Sequence, residues 1–557
     1  MKASKKIVSL VLILLAAAGS VFAGGGKEKP VAAANVSGGG VLTIQNEAAV
    51  ATVDFHGSSD ASSLGAMRLI GEGLYYLDGN DVFQLGLAES ASKSPDGLTL
   101  TYKIRDAKWS DGSPLSAQDF VYAWRRLGNP ATAAPYRWLL NTAAIENSQD
   151  VIAGKQPPEA LGVRALDDKT LQVTLSSPVA FIEGLFNFPA FFPLKESFVK
   201  AQGSKFATSP ETVLSIGPYK ITRFEPNAEV VETVKNPFYY RARDVKLDGI
   251  RYQTIKDLQQ AALAYQSGII DVIPRLSGEQ IDLYRDDPEF RSELSGRVYY
   301  LTPNIKANKY LANHNLRRAL AVSIDRDALV KNIIRNGAAP AEYLVARGLA
   351  KAPDDNSDFR DGEAGVGDEL HYKPAKGLEY WNKAKQELGV DKLTFSIIHE
   401  DGEFFVNVSQ FIQAQLQSNL PGLSITILSM PKKSHTDKYY GGDFELALHR
   451  WGPDYRDPQT YTDLWLSGQH PSYANKEYDA IAISASGGEL ARNPVKRFHE
   501  LRRAEQIVLR DVGTIPLFQD GMASLLKSYV TGAEYHGVQG GTTYLWATKS
   551  PAGLAGR

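Results

Sequence analysis

The sequence predicts a mixed α/β protein of more than one domain, on three observations. A chain of 557 residues is longer than one hydrophobic core supports and points to about two to four domains. Beyond Tyr299, helical and strand periodicities alternate along the chain. Further on, Phe444, Leu446 and Leu448 alternate with Glu445 and Ala447 at period two, which reads as a buried strand. That strand is expected to end at Gly452 and Pro453, because glycine relaxes the limit on φ and proline has no N–H to give a ladder.

Composition narrows the class. Hydrophobic residues make 43% of the chain and charged residues 22%, the balance of an ordinary globular protein. The formal charge is −2 and would be −5 without Lys2, Lys5 and Lys6, so nothing steers the protein toward nucleic acid or anionic lipid. The chain has no cysteine, which excludes disulfides, thiolate chemistry, cysteine-ligated zinc and a lipid-attachment cysteine behind a leader. Tyr, Phe and Trp number 26, 22 and 7, a supply that suits large cores or ligand clefts.

In chain order, Lys2, Lys5 and Lys6 precede an apolar run from Ile7 to Ala18, and Val21-Phe22-Ala23 puts small residues at a cleavage site. The run is too short for a membrane span, which needs roughly twenty residues, and reads as a signal peptide over 1–23. Residues 24–40, rich in glycine and lysine, read as a flexible exported tail. A strand is expected at Val41 to Ile44 and a short helix at Ala66 to Ile70. Leu98, Leu100, Tyr102 and Ile104 form a half-buried strand after the turn Pro95-Asp96-Gly97. Ser116-x-x-Asp119 is a capping box before Phe120, Trp124 and Leu127, which share a helix face.

A strand at Leu171 to Leu175 is followed by a strand-rich stretch from Pro189 to about Leu294. Helices are expected over Asn315 to Ser323 and Asp325 to Arg335, the second capped by Asp325 and stopped at Gly337. An acidic loop lies between Pro353 and Asp368. Helix Phe404 to Leu416 leads to strand Ser424 to Leu428 in the same sheet as the strand before Trp451. Asn493-Pro494 opens a long amphipathic helix, with proline in the first turn where it is tolerated. Thr514 to Phe518 is a strand, and the remainder is β-like.

Catalytic motifs are weak. His399-Glu400-Asp401-Gly402-Glu403 has half of a zinc-helix motif and no second histidine, and Asp401-Gly402 reads as a turn. Asp354-x-Asn356-x-Asp358 imitates a calcium loop, but Phe359 takes the place of its glycine and Gly365 that of its bidentate acid. No nucleophile elbow, phosphate loop or dinucleotide fingerprint occurs; nothing in the sequence asks for chemistry, and neither enzymatic activity nor a cofactor or metal is expected. The candidate of interest is Trp451-Gly452-Pro453-Asp454-Tyr455: an acid between two aromatics at the mouth of a strand. Such an acid keeps its charge if a bound ammonium compensates it. The alternative is a surface turn whose aspartate caps the next helix.

The run Thr99-Leu100-Thr101-Tyr102-Lys103-Ile104-Arg105-Asp106-Ala107-Lys108-Trp109-Ser110-Asp111-Gly112-Ser113-Pro114-Leu115-Ser116-Ala117-Gln118-Asp119-Phe120-Val121-Tyr122-Ala123-Trp124 resembles the signature of family 5 extracellular solute-binding proteins, in particular the oligopeptide-binding proteins of ABC importers. Leu161 to Leu171, Leu316 to Leu320 with Asp325-Arg326, and Trp451-x-x-Asp454-Tyr455 are similar to them too.

The resemblance implies a two-lobed periplasmic-binding-protein fold, type II-like (cluster C), with an extra inserted domain. Lobe I would take 41–71, 191–298 and 520–557, the inserted domain 72–190 and lobe II 299–519. It implies a monomeric periplasmic carrier that holds a short peptide as an added strand through its main chain and delivers it to an inner-membrane ABC permease. Asp454 would pair with the peptide's ammonium, the backbone of Trp451 and Gly452 with its main chain, and Trp451 would wall a side-chain pocket beside Tyr455. Ser59-Asp60-Ala61 matches the facing strand, and Tyr136 a cleft tyrosine. Leu448 stands where relatives carry a basic residue for the peptide's carboxylate, Ser59 replaces an acid, and Phe404 a histidine. Arg450 or His449 is therefore expected to meet the carboxylate. Two alternatives stay open: a same-fold receptor for an oligosaccharide or metal chelate, and a secreted peptide-sensing or chaperone-like protein or hydrolase.

Overall fold

The computed structural model describes residues 39–362, 366–537 and 541–550. The expected signal peptide 1–23 and nearly all of the expected tail lie outside them. Among the described residues no helix is long and apolar enough to cross a membrane.

The chain enters with β1 (Val41–Asn46) and α1 (Ala61–Ile70). Helix α1 begins five residues earlier than its apolar pattern suggests, because Asp60 caps it, accepting the Ser63 N–H at 2.8 Å. A four-stranded sheet follows, made of β2 (Ala88–Lys93), β3 (Thr99–Ile104), β4 (Val163–Asp167) and β5 (Thr170–Thr174) in the order β2-β3-β5-β4. The turn before β3 puts Gly97 at φ +75°, a conformation glycine adopts without strain. Helix α2 (Ala117–Gly128) covers this sheet with Phe120, Trp124 and Leu127 buried, and Asp119 accepts the Ser116 backbone N–H at 2.9 Å as a capping box requires.

The larger sheet has 11 strands among the described residues. Its members are β6 (Tyr219–Arg223), β7 (Val230–Lys235), β8 (Gly249–Thr254), β9 (Val272–Ile273) and β10 (Phe290–Pro303). After helix α3 (His314–Val322) come β11 (Leu393–Glu400), helix α4 (Glu403–Asn419), β12 (Leu423–Met430) and β13 (Leu446–Trp451). Helix α5 (Pro494–Arg510) and strand β14 (Ile515–Leu526) complete it. The order is β12-β11-β13-β10-β14-β9-β1-β8-β7-β6, with Ala339–Pro340 paired on β14.

Strand β13 sits inside that order, parallel to β11 and antiparallel to β10. Leu446, Ala447, Leu448 and His449 are all buried, so this part of the strand has no solvent face, as expected of a buried strand. The helix after Asp325 also stops earlier than expected: Arg335 takes the left-handed conformation, φ +55°, two residues before Gly337.

Two large apolar cores lie along this sheet. One gathers residues from Leu42 to Ile250 with Val272 and the C-terminal Tyr529 and Tyr544; the other runs from Val298 to Phe518. A small third core under Tyr265 and Tyr284 joins them. The long strands β10 and β14 cross from one region to the other: Phe290 and Leu525 pair in the third core, Tyr299 and Phe518 in the second. Between Leu294 and Val298 the register breaks, so that Ser295, Gly296 and Arg297 bulge opposite Asp520. Gly521 is needed there, since a Cβ would lie 2.2 Å from the Asn336 carbonyl oxygen.

Candidate functional site

Strand β13 delivers its last residue, Trp451, to the boundary between the two cores. The loop beyond it is held by one hydroxyl: Thr460 Oγ1 accepts both the Trp451 indole N–H at 3.3 Å and the Asp454 backbone N–H at 3.2 Å. The far side of the loop is anchored by Asp457, which takes two hydrogen bonds, 2.8 and 2.7 Å, from the buried Arg497 guanidinium. Tyr455 leans into the first core and stacks on Phe181 at 4.2 Å and 10°. Arg456 pairs with Asp81 at 3.1 Å. This loop therefore ties the two cores together at one edge.

Between those contacts lies a cavity of about 420 Å³. Five aromatic rings line it, those of Trp138, Phe181, Tyr440, Trp451 and Tyr455, together with two carboxylates, Asp454 and Asp463. No Lys, Arg or His is among its described lining residues. Asp454 reaches open solvent through the cavity mouth, yet the protein packed around it withdraws water and pushes its carboxyl up to about 6. Burial also raises Asp463 to about 6, against hydrogen bonds from Gln459 at 3.0 Å and Ser486 at 3.3 Å. An anion in such surroundings gains from any cation that enters.

Tyr136 belongs to the same neighbourhood. It packs on Phe188 at 4.7 Å, and its phenol is raised by burial and by the carboxylate of Asp454, with Arg68 and Asp60 also in electrostatic reach. Ser59-Asp60-Ala61 is not the expected facing strand. Ser59 is in a loop, Ala61 opens α1, and the Asp60 carboxylate is occupied by Ser58 and Ser63. Burial works against that charge, but these hydrogen bonds hold Asp60 below the usual carboxylate range.

Neither residue expected to meet a carboxylate reaches the cavity. His449 stacks on Tyr439 at 3.9 Å beside His435, and burial lowers its imidazole to about 3, so it stays neutral. Arg450 is engaged by Glu400 at 3.0 Å and lies 4.9 Å over the Phe405 ring. Nor is Gly452 a left-handed turn: its φ is not positive, and a Cβ there would meet only Arg297 Nε at 3.8 Å.

A second cavity of about 310 Å³ lies on the other side of Gly452 and Pro453, at the bulge of β10. Arg275, Arg297 and Asp520 line it. Arg297 Nη1 is 3.5 Å from Asp520 Oδ2, while the Asn336 amide donates to Oδ1 at 2.8 Å. Sequence reasoning missed Thr460, Asp463 and these three groups. The Gln459/Asp463 spacing of four on one helical turn was the one local signal; the others meet across long stretches of chain. His399 and Glu400 end β11, and Asp401-Gly402 is a turn before α4.

Residues 82–473 match the model of the family described as bacterial extracellular solute-binding proteins, family 5 Middle. The dipeptide-binding protein of Lactococcus lactis subsp. cremoris is 28% identical over 507 residues, covering 87% of this chain and 90% of the relative. Among solved structures, Listeria monocytogenes OppA bound to peptide is 34% identical, with a TM-score of 0.69 over 92% of this chain and 100% of that one. The substrate-binding domain of an oligopeptide ABC transporter from Bacillus anthracis is also 34% identical, with a TM-score of 0.70 over 92% and 99%.

Proposed function

Because the chain belongs to the bacterial extracellular solute-binding proteins of family 5 and has their two-lobed α/β fold, we propose that it is the substrate-binding component of an ABC importer. It captures short peptides in extended form between two lobes, outside the inner membrane, and hands them to a permease there. Lobe I takes 41–71, 191–298 and the chain from 520, the inserted domain 72–190 and lobe II 299–519. The apolar core from Val298 to Phe518 supports that last boundary pair.

The observation that carries the reading is the cavity beside Trp451, with two desolvated carboxylates, five aromatic rings and no basic side chain in its described lining. It suits an ammonium group attached to something partly apolar. The α-ammonium of a peptide meets Asp454, and aromatic faces add cation–π attraction. The main chain then runs beside the half-buried backbone of Trp451 and Gly452, which explains breadth of cargo, since main-chain N–H and C=O are common to all residues. Closure follows from the peptide's preference for the shut form.

Removing one partner of a charge pair enclosed in this way costs roughly 2–5 kcal/mol, on the order of a hundred- to a thousandfold in affinity. Calorimetry should show that loss for Asp454→Asn with free tripeptides and for the wild type with N-acetylated ones. The two losses should not add, because both remove one interaction. Acetylated peptides binding the wild type as tightly as free ones would overturn the assignment.

A further inference from the structure

The cavity at the bulge of β10 carries features that the ammonium site does not use. Its lining brings two guanidiniums, Arg275 and Arg297, to a single carboxylate, Asp520. That carboxylate does not satisfy them. Its Oδ1 is taken by Asn336, and Arg297 stands off at 3.5 Å from Oδ2. Arg275 is exposed and makes no hydrogen bond or ion pair among the described residues. Burial raises the Asp520 carboxyl, against the pull of Asn336, Arg297 and Arg275, which weakens its counter-charge further.

A third donor lies next to this site, within electrostatic reach of Asp520, Arg297 and Arg275. The Tyr535 hydroxyl is buried without a hydrogen-bond partner among the described residues. Its phenol is raised by burial and then by Glu293 and Asp520, while Arg297 and Arg275 oppose them. Glu293 and Tyr535 line the adjoining cavity, which meets this one at Met522. A buried hydroxyl left unmatched is costly unless something occupies it in a working state. At Gly452, which lines the cavity, a Cβ would meet only Arg297 Nε at 3.8 Å, so no side chain fills that wall.

We propose that Arg275 and Arg297, with the Tyr535 hydroxyl, form a carboxylate subsite at the bulge, in a cavity whose wall includes Gly452 and Pro453, the two residues before Asp454. This rests on the reading that the cleft takes a peptide by its ammonium end. The carboxylate comes either from a short peptide's C-terminus or from an acidic side chain near its start. Planar guanidiniums recognise either through paired hydrogen bonds.

The test is calorimetry with tripeptides whose N-termini are free. Ala-Ala-Ala is compared with its C-terminal amide, and Ala-Glu-Ala amide with Ala-Gln-Ala amide. The wild type should favour the charged member of one pair by about tenfold or more, and which pair responds identifies the source. In the Arg275→Gln/Arg297→Gln variant the members of that pair should bind alike. Tyr535→Phe, which deletes one oxygen, should narrow the same ratio. Equal binding within both pairs by the wild type, or a ratio that survives the double substitution, overturns the subsite. Failure of every peptide to bind the wild type would instead remove the ammonium reading, and the subsite with it.

Discussion

The cavities on either side of Gly452 and Pro453 are opposites. One holds Asp454 and Asp463 among aromatic rings; the other holds Arg275 and Arg297 around a buried Asp520. The same loop serves both, so the difference comes from what is packed against it. On one side Trp138 and Phe181, the latter from the first core, supply apolar walls; on the other the bulge of β10 supplies Arg297 and the stretch after β9 supplies Arg275. A zwitterionic chain lying across this divide has one favourable direction. Polarity along a short stretch of backbone can therefore set the orientation of cargo without reading its side chains.

The largest way to break this contrast is pH. Asp454 is held near 6 in the free protein, and ammonium binding needs its ionised form. Affinity for free peptides should then fall as pH drops below about 6, by up to about tenfold per unit, while the guanidiniums stay charged throughout. Affinity measured from pH 4 to 7 should show this acid limb for free peptides and lose it for acetylated ones. An acid limb that survives acetylation would place the titration elsewhere.

The unliganded protein should behave with the opposite sign. A carboxyl raised on folding means the native state holds more protons than the unfolded one, so stability falls as pH rises from about 4 to about 6. Asp454→Asn should remove its share of that slope in thermal unfolding.

Smaller effects sharpen the picture. Asp463→Asn deletes the second charge and keeps one of the two hydrogen bonds that Asp463 accepts, and should weaken free peptides by about tenfold, with a smaller effect on acetylated ones. Titration of the variant with the two peptide series measures it. Smallest is Phe181→Leu, which removes the stack on Tyr455. It should cost about 0.5–1.5 kcal/mol beyond lost area, seen as a lower unfolding temperature with the ammonium preference retained.

Much of the layout was readable from residues alone where the cause is local. The capping box at Ser116, the Asp325 cap, the proline-led helix α5 and the turn before β3 all follow from neighbours within four positions. The family signature supplied the two-lobed plan. What local patterns could not carry was partnership over distance. Arg450 looked available until the sheet brought β11 and its Glu400 alongside, and His449 until Tyr439 covered it. Strand β13 was legible as buried, but not which strands would flank it. Arg297 and Asp520 stand opposite each other only because β10 and β14 pair out of register. Ser59 to Ala61 went wrong for a local reason: the Asp60 cap was overlooked, and the helix it starts replaced the expected strand.

The break in register between Leu294 and Val298 has a mechanical side. Two antiparallel ribbons bridging separate masses make a stiff strut, except where their rungs are interrupted. On the peptide-carrier reading, compliance would gather over Ser295 to Tyr300, where both interruptions lie, and a guest resting there would work with a short lever arm on both masses at once. Cargo of the right charge pattern would be weighed by the angle it imposes, so a recipient need only sense how far the strut is bent.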